Sequence, residues 1–201
     1  MASASGSRSP SISVSEPANR SAADPSWVFA YGSLMWRPDF PFDEVLDARL
    51  HGYHRSLCVY SWVHRGTREV PGVVLGLDRG GSCHGRIFRI EPAREAEVLA
   101  YLDAREMVTA VYRRKRLLVS SEVGRLPAWS YVVRRDHEQY AGKLAPARLL
   151  ELIHQGEGVS GRCRDYLLST VAHLEAMGIV DGPLHALAAE LSRTCTGPAQ
   201  T

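Results

Sequence analysis

The sequence predicts an α+β domain, and three observations carry that expectation. Strand-like patterns come first, helix-like patterns fill the last third, and no βαβ alternation runs between them. No segment recurs at a fixed period, so a solenoid or propeller is not expected.

Each element has its own reason. Residues 27–31 form an apolar, aromatic run that reads as a buried strand. Residues 45–62 alternate loosely and are rich in β-branched and aromatic residues, which predicts one long or bent strand. "GVVLGLD" (72–78) and "CHGRIFRI" (83–90) flank "DRGGS" and read as a hairpin. The period then changes. "EPAREAEVLAYLDARE" (91–106) has Pro92 in its first turn and Val98, Leu99 and Leu102 on one face, which predicts a helix. Strand patterns return at 111–120 and 128–134, and helices follow at 146–155, 162–177 and 183–193, with Gly178 and Gly182 suited to helix ends.

Composition bounds the function. The chain has 201 residues, 45% of them apolar and 23% charged, with a formal net charge of +2. This is an ordinary soluble composition, and it suggests neither a nucleic-acid nor a membrane partner. Cys58, Cys83, Cys163 and Cys195 form no CxxC pair and read as reduced thiols. No apolar run approaches the ~18–20 residues of a membrane span, and the N-terminus lacks the apolar core of a signal peptide. A cytoplasmic protein is expected. Residues 1–25, rich in Ser, Ala and Pro, read as a disordered tail. One domain is expected over 26–195, with 196–201 a flexible end.

Most chemical motifs reduce to structure. The "RRKR" run (113–116) lies in a strand pattern and reads as a solvated edge. His51 and His54 are three apart on a strand, which turns them to opposite faces and suits no shared metal. Ser33 lacks the G-x-S-x-G context of a nucleophile elbow. The stretch "VFAYGSLMWRPDF" (28–40) is different. A strand stops at Gly32-Ser33, and such a turn exposes successive backbone N–H groups that can cradle a carboxylate or carbonyl oxygen. Leu34, Met35 and Trp36 would keep that cradle dry. Glu106 is the second unusual residue. It ends a helix, where the dipole disfavours an anion. Were it also buried, its pKa would rise toward a general base's range.

These segments resemble a known family. "VFAYGSLMWRPDF" is similar to the Phe-Gly-Tyr-Gly-Ser-Leu-x-Trp signature of the ChaC-type γ-glutamylcyclotransferases, with Ala30 in place of the signature's glycine. "HGYHR" (51–55), "VHRGTREVPGVVLGL" (63–77) and "YLDAREMVTAVY" (101–112) resemble its next segments in order. "YAGKLAPARLLELI" and "GEGVSGRCRDYLLSTVAHLEAMGI" look like its C-terminal helices, so the resemblance runs collinearly from about 27 to 193. It implies a small mixed β-barrel of about 5–7 strands with packed helices. It also implies cleavage of glutathione to 5-oxoproline and cysteinylglycine, with no cofactor and no metal.

It implies residue roles as well. Glu106 would be the acid/base. Tyr31, Gly32, Ser33 and Leu34 would hold the substrate, joined by Arg55 or Arg65 on a carboxylate and by hydroxyls of Tyr140, Tyr112 or Tyr166, Tyr140 being preferred. A cyclotransferase for other γ-glutamyl amines or γ-glutamyl amino acids is the neighbouring alternative. A non-catalytic γ-glutamyl-binding domain is the distant one. Both cyclotransferase readings require the Tyr31–Leu34 turn and Glu106 to meet at one pocket, whereas a binding domain would predict a lost acid/base residue.

Overall fold

The computed structural model describes residues 25–194. Five strands close into a barrel: β1 (Ser26–Ala30), β2 (Glu44–Ser61), β3 (Gly72–Ile90), β4 (Tyr112–Ser121) and β5 (Gly124–Val133), in the order β1-β3-β2-β4-β5. The pairs are antiparallel except where Val28 meets Trp129, a parallel contact that joins β5 to β1 and closes the ring. Helix α1 (Glu95–Glu106) lies between β3 and β4 in the chain. After the barrel come α2 (Pro146–Gln155), the short pair β6 (Glu157–Gly158) and β7 (Gly161–Arg162), then α3 (Cys163–Ala176) and α4 (Gly182–Thr194). This is the α+β barrel with a helical last third that the sequence and its resemblance imply.

Strand alternation sorts the core into two layers. Trp27 and Phe29 of β1 join Leu50, Leu77, Ile87, Val119 and Val132 in a cluster fed by all five strands. Val28 and Ala30 face the other way. They pack with Phe88, Val98, Leu102, Leu152, Leu167 and Leu184 under the helices. All five residues of β1 are therefore buried, which explains why its sequence shows no polar face. Among the described residues no helix is long and apolar enough to cross a membrane.

One element differs from expectation. Residues 72–90 form a single 19-residue strand, not a hairpin. The "DRGGS" segment is a bulge: Tyr53 pairs with Arg79 and His51 with Ser82, with only Gly52 between them on β2. Gly80 (φ 101°) and Gly81 (φ 66°) take up the extra residue in left-handed conformations that disfavour other side chains. The chain bends there without reversing, because β2 pairs along almost the whole length of β3.

The "RRKR" run is also better anchored than a solvated edge. Arg114 donates to Asp103 Oδ2 at 2.7 Å, and the guanidiniums of Arg114 and Arg116 lie over the Trp129 ring. The expected tails fall outside the described residues apart from Pro25, as does Cys195.

Candidate active site

Two anchors fix α1, one at each end. Asp103 accepts from Tyr131 Oη and from Arg114, each at 2.7 Å, and Glu95 accepts from Trp129 Nε1 at 2.7 Å. With Val98 and Leu102 buried beneath, α1 lies firmly on the barrel wall. Glu106 is its last residue. The turn beyond is tight, with Ala110 in a left-handed conformation at φ 57°.

The turn after β1 comes to meet it. Residues Ser33–Met35 make one 3₁₀ turn. Its own hydrogen bonds begin at Met35, whose N–H donates to Gly32 O at 2.9 Å; Trp36 and Arg37 both donate to Ser33 O. The amides of Gly32, Ser33 and Leu34 precede these bonds and have no partner within the turn. A Cβ on Gly32 would touch only Leu75 Cδ1, at 3.9 Å, so this position is open on the side where a ligand could approach.

Arg105 stitches the two segments together. Its guanidinium donates to Arg37 O at 2.9 Å, to Asp39 Oδ2 at 3.1 Å and to Ser33 Oγ at 3.3 Å. Its Nε sits 3.4 Å from Glu106 Oε1. Nothing in the sequence marked Arg105; its value comes from sixty-odd residues of chain returning to the helix end.

Glu106 and the turn border one cavity of about 690 Å³. Its lining includes Tyr31, Gly32, Ser33, Arg65, Glu106 and Tyr112 of the expected residues, together with Tyr166 and Arg105. Leu34 and Met35 turn their side chains into the core, while Trp36 stays at the cavity and stacks on His173 at 4.5 Å.

Among the carboxyls that line the cavity, Asp39, Asp165 and Glu106, it is Glu106 whose titration the site shifts. Burial pushes the Glu106 carboxyl above its ordinary range, and the Arg105 charge opposes this only in part. Burial likewise raises Tyr31, Tyr112 and Tyr166, with Glu106 adding to the rise at all three. Tyr112 Oη donates to Leu75 O at 2.6 Å, and Tyr166 Oη accepts from Leu75 N at 3.3 Å. The Tyr31 hydroxyl bonds to no other group among the described residues. At the mouth, Arg65 lies over the Tyr166 ring and donates to Ser160 O and Arg162 O.

Three expected residues are absent from the lining: Leu34, whose side chain packs into the core, Tyr140 and Arg55. Tyr140 donates to Asp78 Oδ2 at 2.8 Å, away from the cavity lining. Arg55 is buried, with its donors directed to Tyr31 O, His84 O and Asp181. Neither was separable from the others in sequence, since each role depends on an acceptor far along the chain. No group of His, Cys, Asp and Glu among the described residues could hold a metal ion.

Comparison with known proteins follows the geometry. A family model described as ChaC-like protein matches residues 26–194. A glutathione-specific gamma-glutamylcyclotransferase of Escherichia coli (strain K12) is 32% identical over 164 residues, covering 81% of this chain and 71% of the relative. A glutathione-specific gamma-glutamylcyclotransferase 1 of Homo sapiens is 29% identical over 177 residues, 86% of this chain and 80% of the relative. The crystal structure of a γ-glutamyl cyclotransferase specific to glutathione from yeast superposes with a TM-score of 0.76. It covers 84% of this chain and 96% of its own at 22% identity, and so speaks to the fold.

Proposed function

The chain belongs to the ChaC-like family, and from that premise we propose that it is a glutathione-specific γ-glutamylcyclotransferase with Glu106 as its acid/base. The observation that carries the reading is the shared cavity. It sets a half-buried carboxyl, paired only loosely with Arg105, beside a turn whose first amides have no partner in the turn.

The reaction needs no nucleophile from the protein. The substrate's α-amine attacks its own γ-carbonyl carbon, a C–N bond closes the five-membered ring, and the amide bond to cysteine breaks. One proton leaves the attacking nitrogen and one must reach the departing nitrogen. Glu106 takes the first and returns it as the second. A carboxyl with a raised pKa suits both halves, because it is neither too weak a base nor too reluctant an acid. Negative charge develops on the carbonyl oxygen as the ring closes. The amides of Gly32, Ser33 and Leu34, which make no bond within the turn, are the donors available for that charge.

The remaining walls fold the γ-glutamyl arm so that amine and carbonyl meet. Such positioning can supply roughly 7–11 kcal/mol. Tyr31, with its unpartnered hydroxyl, and Arg65, at the mouth, are the groups available to hold substrate carboxylates or amides. Tyr112 and Tyr166 have their hydroxyls engaged with Leu75 and serve mainly as wall. The reading takes 26–195 as one domain. Buried free thiols at Cys58, Cys83 and Cys163 support a reducing, cytoplasmic setting.

The test is direct. Purified protein incubated with glutathione, without added metal and with a chelator in a parallel sample, should release 5-oxoproline and cysteinylglycine equally in both. No product from glutathione, with product from γ-glutamyl-alanine, would move the assignment to the neighbouring cyclotransferase activity. No product from either would leave a binding domain.

A further inference from the structure

The Arg55 side chain is only 2% exposed, yet it carries a full charge and contributes nothing to the cavity lining. A buried cation is costly unless its donors are all met. Here three parts of the chain converge to meet them. Nε donates to Tyr31 O at 2.5 Å, Nη2 to His84 O at 2.7 Å, and Nη1 to Asp181 Oδ2 at 2.9 Å. Asp181 is 126 positions from Arg55 in the chain and sits just before α4. Its other oxygen accepts from the Leu184 amide, and its carbonyl accepts from His185. The guanidinium therefore ties the β1 turn, strand β3 and the α3–α4 corner to one point.

The bond to Tyr31 has a directional consequence. Tyr31 C=O and Gly32 N–H belong to one peptide unit, which is planar and trans, so the two groups point opposite ways. Tyr31 lies just past the last residue of β1, and its carbonyl is held by Arg55. Fixing that oxygen on a buried guanidinium fixes the amide on the opposite side. That amide is the first of those assigned to substrate in the cavity.

We propose that Arg55 is a positioning residue that aims the Gly32 amide, and that Asp181 holds Arg55 in place to do so. The α3–α4 corner then helps set the donor geometry of the turn after β1 through Arg55. The inference rests on the reading of Gly32 N–H as a substrate donor.

Asp181→Ala removes the charged partner without touching the turn or Glu106, and Asp181→Asn keeps an acceptor in the same place. Kinetics with glutathione are taken well below the unfolding temperature, alongside site-resolved amide hydrogen exchange. In Asp181→Ala, the amides of Met35, Trp36 and Arg37 should exchange roughly tenfold faster than in the unaltered chain, together with those of the α3–α4 corner. Turnover (kcat) should fall by up to about 10²-fold, the scale expected for a small misplacement of a reacting group. Asp181→Asn should recover most of both, and it remains available if the alanine variant does not fold. Faster exchange confined to residues 178–185, with 35–37 unchanged, would overturn the proposal and leave Asp181 a purely structural cap. If the unaltered chain releases no 5-oxoproline, the functional reading fails, while the exchange result still decides whether Arg55 and Asp181 hold the turn.

Discussion

Two carboxyl–tyrosine clusters in this molecule look alike on paper and behave oppositely. Asp78 accepts from Arg135 Nε at 2.7 Å, from Tyr140 Oη at 2.8 Å and from the Arg79 amide at 2.8 Å. Glu106 faces three tyrosines electrostatically, and among the described residues its one ion-pair partner is Arg105 at 3.4 Å. Burial pushes both carboxyls up. At Asp78 the bonds from Arg135, Tyr140 and Arg79 outweigh burial and hold the pKa below its usual range; at Glu106 burial wins. One carboxylate is saturated and rivets two segments of chain. The other has a loose ion pair with Arg105 and, among the described residues, no hydrogen bond to its side chain. A reactive group is thus marked less by the residues near it than by how little they give it.

The sharpest way to break this contrast is to remove each carboxylate in turn. Glu106→Gln should lower glutathione turnover by at least the ~10²–10⁴-fold typical of losing a general base, since the same group serves both proton transfers. Release of 5-oxoproline at a near-normal rate would end the assignment. The variant should fold normally. Because the folded pKa of Glu106 is raised, its contribution to stability is full at low pH and declines as pH rises through that value. Glu106→Gln should therefore gain stability over the unaltered chain only toward neutral and higher pH, read by denaturant melts across a pH series.

The same raised pKa predicts a smaller effect on rate. The acidic limb of kcat/KM should lie above the ~4.3 of an ordinary glutamate, with activity rising as Glu106 ionises. A limb at or below that value would contradict the burial argument.

Asp78→Asn should act on stability and spare the chemistry. Removing a buried, hydrogen-bonded charge costs roughly 1–3 kcal/mol. The sign is opposite to that at Glu106: with its pKa lowered, Asp78 contributes above the ordinary carboxylate range, and that contribution is lost as pH falls through the lowered value. The two stability profiles should therefore cross. Least of all, Tyr140→Phe should cost about 1 kcal/mol and leave KM for glutathione unchanged, whereas Tyr31→Phe should raise it. If Tyr140→Phe raised KM instead, the sequence-based preference for Tyr140 would be restored.

That preference shows where sequence reading stops. The strand ending at Gly32 was legible because a glycine-serine turn in an apolar run has few explanations. Glu106 stood out because a carboxylate at a helix C-terminus is disfavoured there. Its burial was not legible, since burial depends on the loop that Arg105 draws over it. Tyr140 and Arg55 were indistinguishable from true lining residues because their acceptors, Asp78 and Asp181, lie 62 and 126 positions away. The "DRGGS" segment misled for a related reason. Two glycines with positive φ can make a hairpin turn or a bulge, and only the long pairing with β2 selects the bulge.

The closing seam of the barrel has a consequence in time. The turn after β1 rides on a strand of five residues, and that strand meets β5 through one parallel ladder pair, Val28 and Trp129, and a bond from Ser130 Oγ to Phe29 O at 3.0 Å. The carbonyl that orients the turn then waits on Asp181. A chain leaving the ribosome therefore carries the cradle's residues among the first of the described segment yet completes the cradle among the last, when non-local contacts of high sequence separation have formed. On the positioning reading, a chain that ends before Asp181 carries Glu106 and the turn but lacks the carboxylate that holds Arg55 against Tyr31 O.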